Sequence, residues 1–182
     1  FRRVLFRSFG LASALICPPN TYATTEELAD AARAMAPYGG VYITHMRSEG
    51  DKFLEAIDEA LRIGREGGVP VEIYHLKASG PRNWPKMPLA IAKIDSARAA
   101  GQDVQADMYL YPAGGNSFAS CIPPKYAAGG RLLENLRNPA LRATIVAEMH
   151  ALDAGYENLC EIATPANVMV VGFTRPELKR FE

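Results

Sequence analysis

Residues Gly40–Asp51 read GVYITHMRSEGD, a β-branched apolar run that ends in a histidine and then a charged, glycine-containing turn. Roughly thirty residues on, the spacing of one βα unit, Val69–Lys77 (VPVEIYHLK) repeats the plan. His45 and His75 therefore fall at the same place in consecutive units. Between them, residues 51–65 carry Phe53, Leu54, Ile57 and Leu61 at helical spacing, and Gly67-Gly68 closes the pattern.

The same alternation extends outward. Leu11–Ile16 reads as a strand leaving into Cys17-Pro18-Pro19-Asn20. Thr24 and Glu27 form a capping-box pattern ahead of Leu28, Ala32, Met35 and Ala36. Pro88 suits a first helical turn, and the following helix runs to Gly101. Asp103–Tyr109 is the fourth strand, and a long Gly- and Pro-rich loop follows it, of the kind that serves as a lid or binding loop. Helices are expected at Arg131–Leu136 and Pro139–Leu152, and a last apolar strand at Val168–Phe173.

Strand starts near 11, 41, 70 and 103, with a helix in each gap, predict a parallel α/β sheet with right-handed crossovers. A doubly wound sheet and a (β/α)8 barrel both fit. A full barrel takes about 250 residues, so about four βα units plus a helical insertion would be part of one. No Gly-rich phosphate loop follows any strand, which argues against nucleotide binding.

The chain has 182 residues, with 20 basic and 20 acidic side chains. That balance offers no electrostatic case for nucleic acid or an anionic membrane. No apolar run approaches the ~20 residues of a transmembrane helix. Three cysteines without CxxC spacing argue against a disulfide framework and for a cytoplasmic, reducing setting. Phe1–Ser8 (FRRVLFRS) matches none of the periodic pattern and reads as a non-native, adapter-derived segment, leaving residues 9–182 as the protein proper. The C-terminal RPELKRFE stops without a turn or cap, so the chain is expected to be part of a longer one.

In a parallel α/β protein the site lies at the carboxyl ends of the strands. Two histidines there can converge on one zinc ion, although each alone also reads as a strand cap bonded to main chain. A catalytic zinc wants a third protein ligand, and no third candidate is evident in the pattern. His150, on a helix, reads as a surface residue. Lys77, two residues past His75, either grips a substrate carboxylate or is a solvated loop lysine. Arg47 and Glu49 alternate after His45 and either brace one another or form a surface ion pair. Asp107, Tyr109 and Tyr111 alternate at the end of the fourth strand, where a tyrosine hydroxyl can polarise a carbonyl or simply pack.

Taken with their order and spacing, THMRSEG, VEIYHLKASGPRNW and DVQADMYLYPAGG resemble the D-aminoacylase (N-acyl-D-amino-acid deacylase) family of the amidohydrolase superfamily. The resemblance runs from about Gly10 to Gly115 and continues more weakly to NVMVVGF. It implies a (β/α)8 barrel that uses zinc to hydrolyse the amide of a small-molecule N-acyl-D-amino acid. It also implies that His45 and His75 are metal ligands, that Lys77 contacts substrate and that Tyr109 polarises the scissile carbonyl. The family's first-strand HxH, its bridging cysteine or carboxylated lysine and its last-strand aspartate have no counterpart in these 182 residues. Cys17 stands where the family has tyrosine, and Gly115 where it has serine. The expectation is a fragment that is inactive alone. The alternatives are an amidohydrolase-type enzyme acting on a cyclic amide or dipeptide, or a noncatalytic metal- or ligand-binding α/β module.

Overall fold

The computed structural model describes residues 9–151 and 156–181. Phe1–Ser8, and with it the expected adapter-derived segment, lies outside the described residues. Strands β1 (Gly10–Ala14), β2 (Val41–His45), β3 (Val71–Ile73) and β4 (Val104–Ala106) alternate with helices α1 (Thr25–Met35), α2 (Phe53–Gly67) and α3 (Met87–Ala99). All three strand pairings are parallel and the sheet order is β1-β2-β3-β4. Right-handed crossovers between sequential neighbours put every helix on the same face. Burial agrees: Ser13, Tyr42, Thr44, Val71, Ile73 and Val104 are buried under the helices. The register row Ala12, Ile43, Glu72 and Gln105 points the other way and is half-buried or exposed. A doubly wound sheet would cover both faces, so the arrangement is that of a barrel wall, a partial (β/α)8 architecture.

Local chemistry explains the helices. Thr24 Oγ1 accepts from the Glu27 amide, and the Glu27 carboxylate accepts from the Thr24 amide, which is the capping box expected from sequence. On α2, Phe53, Ala56, Ile57, Ala60, Leu61 and Ile63 form the buried stripe, while Leu54 sits at its half-buried margin. The core joins that stripe to Leu28, Ala32 and Met35 of α1, to Tyr42, Val71 and Ile73 of the sheet, and to Ile94 of α3.

The strands are shorter than the apolar runs that announce them. β3 stops at Ile73, because His75 turns the chain with a positive φ of 36°. β4 stops at Ala106, and the chain continues through short 3-10 turns to α4 (Leu132–Arg137), α5 (Pro139–Met149) and α6 (Leu159–Ala163). Asn138 caps α5 with its side-chain oxygen, as its pairing with Pro139 suggests. Leu152, the expected end of that helix, lies outside the described residues.

Two expectations are corrected. Val168–Phe173 is not a strand: the segment joins no ladder of the sheet, and Met169 and Val171 are about four-fifths exposed. An apolar run that forms no ladder with a second strand has nothing to hold it extended. Cys121 and Cys160, 39 residues apart, form a disulfide. Cysteine spacing reports local pairs only, whereas this pair is assembled by α6 folding back onto the loop after β4. Cys17 is free and exposed. Among the described residues, no helix is long and apolar enough to cross a membrane.

Candidate metal centre

The parallel register sets Thr44 of β2 opposite Ile73 of β3, so the residues just beyond them, His45 and His75, meet at the carboxyl end of the sheet. Their ring centroids are 4.6 Å apart, nearly perpendicular. The turn that follows β2 returns a carboxylate to the same point. Glu49 is buried, and its Oε1 lies 3.1 Å from His75 Nδ1 and 3.7 Å from His45 Nε2. His45, Glu49 and His75 thus present three ligand atoms within 4.8 Å of one another.

His75 reaches its place through an uncommon backbone. Its amide donates to Asp107 Oδ1 at 2.6 Å, and the amide of Leu76 donates to the Asp107 carbonyl at 2.9 Å. Asp107 therefore brackets the left-handed turn, whose strain for a non-glycine residue is about 1–3 kcal/mol. His45 is oriented differently: its Nδ1 bonds the Met46 carbonyl at 3.1 Å, which leaves the Nε2 lone pair facing Glu49. An imidazole that donates one nitrogen to a carbonyl and offers the other is the usual posture of a metal-ligating histidine. Burial holds the His45 imidazole below its ordinary pKa, against the pull of the Glu49 charge, and so favours the neutral form.

The donor set, two imidazole nitrogens and one carboxylate oxygen, suits a divalent ion of the zinc type. A cation already lies among these donors. Lys77 Nζ donates to Glu49 Oε1 at 2.5 Å and to His75 Nδ1 at 2.9 Å. It also lies 5.6 Å from the centre of the Tyr109 ring. Tyr109 is 6.4 Å from His75, ring to ring, and stacks on Tyr111 at 4.6 Å. Burial, with the Glu49 charge adding, raises the Tyr109 hydroxyl above its ordinary pKa and keeps it a proton donor.

The structure thus gathers His45, His75, Lys77 and Tyr109 at one place. Glu49 joins them, and the sequence offers only a weak hint of it, since its position four residues after His45 lies on a turn rather than a helix. Arg47 turns away. Its guanidinium donates to Glu59 at 2.8 and 2.9 Å, to the Thr21 carbonyl at 2.8 Å and to the Ala23 carbonyl at 2.9 Å, so it braces the loop after β1 and not Glu49. His150 is exposed at the end of α5, as expected.

A further carboxylate supports the turn from below. Glu157 accepts from Ser48 Oγ at 2.5 Å, from the Glu49 amide at 3.0 Å and from the Gly50 amide at 3.0 Å. Burial raises its carboxyl pKa while these donors oppose the rise.

No family model matches the chain. Among curated proteins it is 41% identical over 107 residues to a D-aminoacylase of Alcaligenes xylosoxydans xylosoxydans, which covers 59% of this chain and 22% of that protein. It is also 41% identical over 103 residues to an N-acyl-D-glutamate deacylase of the same organism, covering 57% of this chain and 21% of that one. Among solved structures, a D-aminoacylase described as defining a novel subset of amidohydrolases superposes with a TM-score of 0.56 at 42% identity, covering 59% of this chain and 22% of that one. An N-acyl-D-glutamate deacylase from Bordetella bronchiseptica, complexed with zinc and a phosphonate mimic of the tetrahedral intermediate, superposes with the same TM-score of 0.56 at 34% identity, covering 58% of this chain and 22% of that one. The chain is therefore similar to D-aminoacylases over 59% of its length, and it spans about a fifth of the length of the curated relatives it matches.

Proposed function

We propose that residues 9–182 are a piece of the catalytic barrel of a zinc-dependent enzyme that hydrolyses the amide of N-acyl-D-amino acids. The observation that carries this reading is the convergence of His45, Glu49 and His75 at the carboxyl ends of two adjacent parallel strands. The relatives' activities and the zinc in one of their structures support it.

In this reading His45 Nε2, His75 Nδ1 and Glu49 Oε1 hold the ion. Bound zinc supplies a water of lowered pKa and a Lewis acid for the carbonyl. Tyr109 would donate a hydrogen bond from its hydroxyl to the oxygen of the scissile carbonyl, where negative charge develops. Lys77 gives up Glu49 when the cation is bound, and its ammonium then faces the substrate's carboxylate. Proton transfer from the water needs a base that these groups do not supply, so the 182-residue chain alone is expected to bind metal without turnover.

The test is a titration of the purified chain with zinc, followed by native mass spectrometry. One bound ion is expected, lost in His45→Ala and in His75→Ala. Hydrolysis of N-acetyl-D-amino acids is expected only from a longer protein that contains this chain, and Tyr109→Phe is expected to cost that protein about 100-fold in kcat. A chain that takes up no zinc, or one that binds it equally well without both histidines, would overturn the proposal.

A further inference from the structure

Segment 156–162 lies across the carboxyl ends of β2 and β3, 107 to 109 residues along the chain from the first turn it touches and 79 from Arg82 in the second. Its contact with the first turn is made through one carboxylate. Glu157 receives Ser48 Oγ and the amides of Glu49 and Gly50, three donors on one side chain. The carbonyl of Glu49 is held as well, accepting from the Ser79 amide at 2.6 Å. The main chain of Glu49 is therefore pinned at both ends, by Glu157 on one side and by the loop after β3 on the other. Its side chain, so aimed, meets both histidines.

We propose that Glu157 is a positioning residue for the metal site, acting through Glu49; the inference rests on the metal-binding reading given above. Space has been made for it. A Cβ on Gly50 would stand 3.1 Å from the Glu157 carboxyl carbon and 3.2 Å from Ile162 Cδ1. A Cβ on Gly80 would stand 2.7 Å from Ile162 Cγ2, at a positive φ of 81°. Both turns present bare main chain to this segment.

Docking of the segment does not need Glu157. Tyr156 Oη donates to the Cys121 carbonyl at 3.0 Å, Asn158 Nδ2 donates to the Met149 carbonyl at 2.8 Å, Cys160 is bonded to Cys121, and Glu161 pairs with Arg82 at 3.1 Å. None of these touches residues 48–50. The Glu157 carboxylate is the polar contact the segment makes with the turn, and without it the Glu49 amide and the Ser48 hydroxyl lose their acceptor, while the Gly50 amide keeps only Ser48 Oγ at 3.2 Å.

The experiment is a cobalt(II) titration of the 182-residue chain and its variants, read by the visible absorption of the bound ion, which reports coordination geometry as well as affinity. Glu157→Ala is expected to weaken binding by about 10- to 100-fold, the usual effect of removing a group that orients a ligand, and to alter the spectrum. Glu157→Gln keeps one acceptor and should fall between Ala and the parent. Glu161→Gln breaks the exposed Arg82 pair on the same segment and should stay within about twofold of the parent. Parent-like affinity and spectrum in a folded Glu157→Ala variant would overturn the inference, as would an equal loss in Glu161→Gln. If the Ala variant does not fold, Glu157→Gln decides, with a loss of at least about threefold expected and parent-like binding counting against. A parent chain that takes up no cobalt defeats the metal reading itself, and this inference with it. A parent that binds while Glu157 proves indifferent defeats this inference alone.

Discussion

Lys77→Met removes the cation that lies among the metal donors, and the structure fixes the sign of two effects. In the metal-free chain, Lys77 Nζ is 2.5 Å from a Glu49 carboxylate whose side chain is only 6% exposed. Removing one member of a buried pair costs about 3–5 kcal/mol when nothing else satisfies the other. Here His75 Nδ1 at 3.1 Å, no longer needed as an acceptor for Lys77, and Ser79 Oγ at 3.4 Å remain to donate to Glu49. The expected loss of metal-free stability is therefore about 2–3 kcal/mol. In the presence of zinc the sign reverses. The parent must break the Lys77–Glu49 contact to load the ion, and the variant need not. Released lysine regains water, so only part of the contact's worth returns, about 1–2 kcal/mol, or about 5- to 30-fold tighter binding in the variant. Urea melts of the metal-free chain and a cobalt titration measure the two quantities separately. A variant that is as stable as the parent without metal, or that binds cobalt more weakly, would refute the view that Lys77 and the ion compete for one carboxylate.

Arg47→Ala should destabilise the chain by about 2–4 kcal/mol, because it strips a two-point contact from Glu59, whose side chain is 13% exposed, and frees two loop carbonyls. A urea midpoint equal to the parent's would contradict that. The Cys121–Cys160 bond closes a loop across a separation of 39 residues, worth about 4 kcal/mol on the chain-entropy account. Cys160→Ser should accordingly lower the melting temperature, and a thiol reagent should label Cys17 alone in the parent until reductant is added; labelling of all three cysteines beforehand would count against the pairing. His45 is held below its ordinary value of 6.5, chiefly by burial. The unfolded metal-free chain therefore takes up a proton near that pH that the folded chain refuses. Stability present above about pH 6.5 is lost as pH falls toward the folded value. His45→Gln should flatten that part of the stability curve, and a curve parallel to the parent's would show that another group is responsible.

What could be read from the sequence follows from the range of the interactions involved. The capping box of α1 is a contact across three residues, and the stripe on α2 is a period, so both are visible in a linear string. Strand ends are less visible because apolar runs overshoot them. Val69–His75 reads as one strand, yet the ladder stops at Ile73 and His75 turns in the left-handed region under an Asp107 bond that no local pattern announces. Val168–Phe173 shows the converse, an apolar run that pairs with no strand of the sheet. A strand is a property of two segments, and only one of them is present in such a run.

The same reasoning separates the histidines of the site from its carboxylates. Matched places in successive βα units become neighbours once the sheet is parallel and sequential in order, so His45 and His75 are brought together by the repeat itself. Glu49 has no repeat partner. Its convergence depends on a turn that folds back over the sheet, held by Ser79 from the next unit and by Glu157 from far along the chain. Lys77 stands beside His75 without strand alternation, because β3 has already ended and the side chain reaches back to Glu49 across the turn. A site of this kind is therefore half written in the period of the fold. The other half lies in long-range contacts that set where its charges stop, and in the metal-free chain those contacts leave one ammonium, Lys77, among the donors proposed for a divalent ion.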